Sequence, residues 1–260
     1  MPRFSANLSM LFTEVELIDR FEAARKQSFK AVEIQFPYEL SAKTIQRKLC
    51  EHDLQLVLFN VPADDLLQGG EGLACVPEKQ QQFLEALALA VEYAKVLQPA
   101  AINVLPGRCF NPTRHGEYLS TFKRNLCLTA DALAPLGIKT VFEAINSIDM
   151  PGFFIDTGAK MLAVQNELKR SDIYLQYDIY HMLRMGENPA AFVAEHAQRI
   201  GHIQFADCPG RGQPGTGTGT ADLAGIFSEI DLSGYEGWVG AEYKPIGLTS
   251  ASLGWLNQCR

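Results

Sequence analysis

Short runs rich in β-branched and aromatic residues alternate along the chain with longer stretches in which apolar residues recur at helical spacing. Eight strands are predicted: RFSANL from Arg3, KAVEIQF from Lys30, LQLVLFN from Leu54, AINVLP from Ala101, KTVFEAI from Lys139, IYLQYD from Ile173, HIQFAD from His202 and WVGAEY from Trp238. The first intervening helix is expected to open at Thr13, with Glu16 completing a capping box, and to bury Leu17, Ile18, Phe21 and Ala24 on one face. Glu78 to Leu97 and Glu117 to Leu136 are the clearest of the other helices. Most strands read as continuously apolar, as in a parallel sheet covered by helices. Successive βα units of this number close into a barrel, so the pattern predicts one α/β domain, a (β/α)8 TIM barrel over residues 1–260. The main rival, a doubly wound open sheet, lacks support: no GxGxxG follows the first strand and no linker breaks the βα rhythm.

Composition narrows the function. An apolar fraction of 47% without a run of eighteen apolar residues describes a chain that buries a large core and does not span a membrane. The formal charge of -7, with no cluster of Lys and Arg, argues against nucleic acid and for a small-molecule substrate. Six scattered cysteines show neither a CxxC pair nor metal spacing, and the first residues lack an apolar signal region, so a reduced, cytoplasmic protein is expected. A homo-oligomer is compatible with the sequence but not specified by it.

In a barrel of this kind the chemistry sits where strands end. The stretch IYLQYDIYH ends an apolar run on Asp178, a charge that needs a partner there. Glu143, Gln204 and Glu242 occupy the corresponding ends of the fifth, seventh and eighth strands. Any one of them alone is as readily a satisfied rim group. Three carboxylates converging on one low-dielectric rim repel unless a cation lies among them, and the all-oxygen set favours Mg²⁺ or Mn²⁺ over Zn²⁺. His181 follows Asp178 on the same loop and could offer a donor to substrate, or simply cap a helix. The glycine-rich loop from Cys208 to Thr220 carries Arg211, a candidate fork for a substrate carboxylate; Lys244 lies on the same side of its strand as Glu242. The loop from Asn60 to Pro77 is a second long segment on that face.

VEIQFPY from Val32, EAINSIDMPGFF from Glu143, YDIYHMLRMGEN from Tyr177, HIQFADCPGRGQPGTG from His202 and GWVGAEYKP from Gly237 resemble the hydroxypyruvate isomerase family. The similarity runs in order along essentially the whole chain and extends to the 2-oxo-tetronate isomerases and the wider xylose-isomerase-like barrels. The resemblance implies metal ligation by Glu143, Asp178, Gln204 and Glu242, with Glu143 and Glu242 also the acid/base pair, and a role in glyoxylate and carbohydrate metabolism. Sugar 3-epimerases of these barrels carry a histidine where Gln204 stands. Abasic-site endonucleases use a histidine-rich zinc cluster that these strand ends lack. The family's usual PGTGE reads PGTGT here, with Thr218 in place of the glutamate. The reading is therefore a metal-dependent isomerase of hydroxypyruvate and tartronate semialdehyde. Its alternatives are a 2-oxo-tetronate isomerase, a sugar 3-epimerase, or a non-catalytic barrel that binds a sugar acid.

Overall fold

All eight strands form where the apolar runs predict them. They are β1 (Arg3–Asn7), β2 (Ala31–Glu33), β3 (Gln55–Asn60), β4 (Ala101–Val104), β5 (Lys139–Glu143), β6 (Ile173–Asp178), β7 (Ile200–Phe205) and β8 (Trp238–Ala241). The computed structural model describes residues 1–216 and 219–258; Thr218 lies outside them. Each strand pairs in parallel with the next, and β1 pairs with β8 through Arg3–Trp238 to Ala6–Ala241, which closes the barrel. The two long helices span Gln80–Leu97 and His115–Leu133. Among the described residues no helix is long and apolar enough to cross a membrane. Cys50, Cys75, Cys109, Cys127 and Cys208 are free thiols.

The strands are less uniformly apolar than they read. The main core lies between strands and helices, where Phe142, Leu175, Tyr177, Ile203 and Phe205 join Phe122, Met161, Val193 and Phe227. The residues between them in sequence, Glu143, Gln176, Asp178, His202 and Gln204, are buried polar groups. Because strand side chains alternate between faces, they turn into the barrel. A small apolar cluster of Ala31, Val57, Leu58, Ala101 and Val141 fills the interior toward the strands' N-terminal ends. Above it the interior is amide and carboxylate, tolerable because these groups bond to one another.

The expected capping box does not form. The first helix runs Leu17–Lys26 with Glu16 at its N-cap and no side-chain capping bond, and Ile18 is only half-buried. The preceding turn is tied elsewhere: Glu14 accepts bonds from the backbone N–H and hydroxyl of Thr249, each at 3.0 Å, and the Phe12 N–H donates to Thr249 Oγ1.

Candidate active site

Glu143 and Asp178 are the last residues of β5 and β6, Gln204 is the penultimate residue of β7, and Glu242 follows β8 directly. Glu143, His181, Gln204, Arg211, Glu242 and Lys244 line one cavity of about 360 Å³, whose apolar wall includes Phe36, Leu67, Leu105 and Met150. Asp178 lies just behind this lining. Its Oδ1 accepts from the Tyr180 N–H at 2.8 Å and caps the helix Ile179–Arg184. Its Oδ2 is buried without a hydrogen-bond donor, 3.5 Å from both His181 Nε2 and an Arg211 guanidinium nitrogen. The structural and functional readings of Asp178 thus divide between its two oxygens.

The loop after β7 folds back beside the chain after β8, with the Lys244 N–H donating to the Arg211 carbonyl at 2.8 Å. Arg211 is thereby carried across the site in a left-handed conformation, φ 53°, a strained one for a non-glycine residue. Its guanidinium donates to Glu242 Oε2 at 2.5 Å and lies over the Tyr180 ring. In this arrangement it pairs with the carboxylates of Glu242 and Asp178. Lys244 is the exposed cation at the mouth.

The two glutamates differ in their surroundings. Glu242 Oε1 accepts from Asn7 Nδ2 at 2.9 Å and Gln35 Nε2 at 2.6 Å, while Oε2 takes Arg211. Glu143 receives only amide donors, Asn103 and Gln176 at 3.2 and 3.0 Å, both on Oε2. Burial, reinforced by the charges of Glu242 and Asp178, raises the Glu143 carboxyl well above the usual range. Burial likewise pushes Asp178 up to about 7, although Arg211 opposes the shift.

Glu143, Asp178 and His181 form a buried group whose potential ligand atoms lie within 4.8 Å of one another, an arrangement that fits a divalent metal. The Asp178 oxygen without a donor is open to a ligand, and carboxyls raised mainly by burial are groups whose charged form a cation would favour. His181 sits in this group as a donor. The Asn146 Oδ1 accepts from the Asp149 N–H at 2.8 Å, which turns the Asn146 amide nitrogen toward His181 Nδ1 at 2.7 Å. The Asn146 backbone N–H also points at Nδ1, at 3.4 Å. An imidazole that accepts at Nδ1 carries its proton on Nε2, and burial, then Arg211, holds His181 well below its usual pKa and therefore neutral. Nε2–H faces Asp178 and, at 3.9 Å, Glu143 Oε1.

The sequence signals singled out the last four strands and not the polar groups that come from the first four: the donors Asn7, Gln35 and Asn103 and the acceptor Glu33. The signal was present in the alternation of polar residues within apolar runs, as in VEIQF. Glu33 is the least expected of them. It accepts from Ser5 at 3.3 Å, Asn7 at 3.0 Å, His202 at 2.7 Å and Gln204 at 2.7 Å. A Cβ on Gly240 would come within 2.2 Å of Glu33 Oε2. Because four donors pin that carboxylate, Gly240→Ala is expected to cost about 1–3 kcal/mol by overpacking, measured by urea unfolding. A cost under about 0.5 kcal/mol, the range of neutral surface changes, would show that Glu33 swings aside freely.

The sequence profile of the xylose isomerase-like TIM barrels matches residues 21–259. Over its whole length, and the whole of the relative, the chain is 38% identical to hydroxypyruvate isomerase of Escherichia coli strain K12. It is 36% identical to 2-oxo-tetronate isomerase of Cupriavidus necator, with 98% of each chain covered. A crystal structure described as AP endonuclease, family 2, from Brucella melitensis superposes with a TM-score of 0.95 at 34% identity over all of both chains. The 3-keto-D-glucoside 4-epimerase YcjR from E. coli shares the fold at a TM-score of 0.81 and 19% identity, also over all of both chains. With its closed barrel and full-length relatives, the chain belongs to the xylose isomerase-like TIM barrel family, in its hydroxypyruvate isomerase and 2-oxo-tetronate isomerase branch, and is an isomerase.

Proposed function

We propose that the protein interconverts hydroxypyruvate and tartronate semialdehyde, with Glu143 and Glu242 as the acid/base pair. The observation that carries this reading is the pair itself: two buried glutamates from β5 and the end of β8, in unlike surroundings, lining one small cavity. The two compounds differ by the position of one hydrogen on adjacent carbons. One glutamate removes a proton from the hydroxyl-bearing carbon beside the carbonyl and the other delivers one to the former carbonyl carbon, while the hydroxyl proton passes from the first oxygen to the second, through an enediolate; the two glutamates end with exchanged protons and reset with solvent. Glu143, Asp178, Gln204 and Glu242 are the oxygen donors that would hold a divalent cation, and this set suits Mg²⁺ or Mn²⁺. Bound there, the cation would supply Lewis-acid stabilisation of the negative charge on the substrate oxygens. In this reading the Nε2–H of His181 donates to a substrate oxygen, and Lys244, with Arg211 once a cation relieves it of the carboxylates, receives the substrate's acid group; all three line the cavity. The apolar wall excludes water from the remaining face. The free thiols suit a reducing cytosol.

The relatives that isomerise 2-oxo-tetronate make the four-carbon acid the second reading. Incubating Mg²⁺-loaded protein in deuterated water with hydroxypyruvate, 2-oxo-tetronate or a simple ketose, and following carbon-bound deuterium and new products by NMR, separates them. Deuterated tartronate semialdehyde from hydroxypyruvate is the expected result. Turnover of only the four-carbon acid would transfer the assignment to 2-oxo-tetronate, and an epimerised sugar would transfer it to a 3-epimerase.

A further inference from the structure

We infer that Glu33 is a positioning residue that selects which end of the Gln204 amide faces the carboxylate cluster, and so presents Gln204 as an oxygen donor to a divalent cation. This rests on the reading of Gln204 as a ligand. A glutamine amide has two ends of nearly equal size, an oxygen that can ligate a cation and an NH2 that cannot. In a set otherwise made of carboxylates it is the one member whose orientation must be chosen for it.

Both sides of Gln204 are specified. Its Nε2 donates to Glu33 Oε1 at 2.7 Å, and its Oε1 accepts from Gln176 Nε2 at 2.7 Å. The same Gln176 nitrogen donates to Glu143 Oε2 at 3.0 Å, which fixes the Gln176 amide in turn. Reversing Gln204 would set its oxygen against the Glu33 carboxylate and its NH2 against that of Gln176, so that two bonds become two repulsions. The Gln204 oxygen uses one lone pair on Gln176 and keeps the second for a cation. An amide whose nitrogen donates to a carboxylate also has a more electron-rich oxygen, the effect by which groups behind a ligand raise its basicity.

Glu33 suits this role and not that of a ligand. Asn7 and Gln204 share its Oε1, while Ser5 and His202 share its Oε2, so its acceptor positions are filled from β1 and β7. It is 1% exposed and abuts Gly240 on β8, which leaves it no second position. It therefore acts on a cation through other residues, chiefly Gln204; the second route, through Asn7, whose Nδ2 also donates to Glu242 Oε1 at 2.9 Å, does not depend on the Gln204 amide and survives in Gln204→Ala.

Titration of metal-free protein with Mn²⁺ by calorimetry tests the inference in a double-mutant cycle of Glu33→Gln and Gln204→Ala. Glu33→Gln alone is expected to weaken Mn²⁺ binding about 10–100-fold, the usual effect of losing a partner behind a ligand. In the Gln204→Ala background, with no amide left to orient, adding Glu33→Gln is expected to change affinity by less than about threefold, the scale of independent sites. A purely structural role would lower affinity equally in both backgrounds and would overturn the inference. Wild-type affinity in Glu33→Gln combined with weak binding in Gln204→Ala would also overturn it while leaving Gln204 a ligand. Wild-type affinity in Gln204→Ala would remove the ligand reading itself, and this inference with it. If Glu33→Gln does not fold, Glu33→Asp withdraws the carboxylate by one methylene and enters the same cycle.

Discussion

Replacing Glu143 or Glu242 by glutamine is expected to lower turnover about 10²–10⁴-fold, the range for losing a positioned acid or base. The substitution keeps volume and some hydrogen bonding, so the loss does not report on packing; measured at saturating Mg²⁺ or Mn²⁺, which offsets weaker ligation, it reports on the proton. At Glu143 the two amides that donate to Oε2 can still bond a glutamine oxygen, and the fold should be unaffected. At Glu242 the change also removes the charge that Arg211 pairs with, so a loss of thermal stability is expected alongside the loss of turnover. Steady-state kinetics on the substrate identified by deuterium exchange checks this. Near-wild-type turnover in both variants would overturn the two-glutamate scheme.

Removing metal is expected to have the second large effect, on turnover and on the pH dependence of stability. Chelation should abolish isomerisation, and Mg²⁺ or Mn²⁺ should restore it. In the metal-free fold, Asp178, pushed up to about 7, and Glu143, higher than usual, hold protons that they would release on unfolding at neutral pH. The folded state then binds more protons than the unfolded one. The associated stability is present in full below the ordinary carboxylate range and is lost as pH rises through about 7. His181, held neutral, acts the other way as pH falls below about 6.5. The window in which the carboxyls dominate is therefore about pH 6.5 to 8, across which metal-free protein should become less stable. Cation binding should flatten that slope, release protons, and add about 2.7 kcal/mol at a hundred times its dissociation constant. Urea unfolding at stepped pH, with and without Mg²⁺ and Mn²⁺, measures both. A metal-free midpoint that does not fall across this window, or full activity after chelation, would contradict the account.

The barrel was legible because each strand carries a compact apolar run with a helix-length interval after it. Glu143, Asp178, Gln204 and Glu242 were legible because a polar residue ending such a run has few purposes in that position. Glu33, Asn7 and Gln176 left only the weaker trace of a polar residue alternating within an apolar run, whose meaning appears only when barrel closure makes these positions face one another. The pairing of Arg211 with Glu242 was not legible, because what a loop arginine meets depends on how two loops lie together, here after β7 and β8. The role of Asn146 as the donor to His181 links the loop after β5 to the helix Ile179–Arg184, thirty-five residues away, a separation at which local pattern is silent.

The polar interior also bears on how the chain finds its alignment. A one-residue slip of β2 against β1 would carry Glu33 into the aliphatic layer beneath the helices and turn Val32 and Ile34 toward Asn7, Gln204 and His202. An aliphatic barrel interior would accept that exchange with modest loss, since one branched side chain fills space much like another. Here each slipped strand would strand several amides or a carboxylate without partners, at about 1–3 kcal/mol apiece. The groups that assemble the site thus also proofread the winding of the barrel: a molecule with misaligned strands lacks the contacts needed to persist.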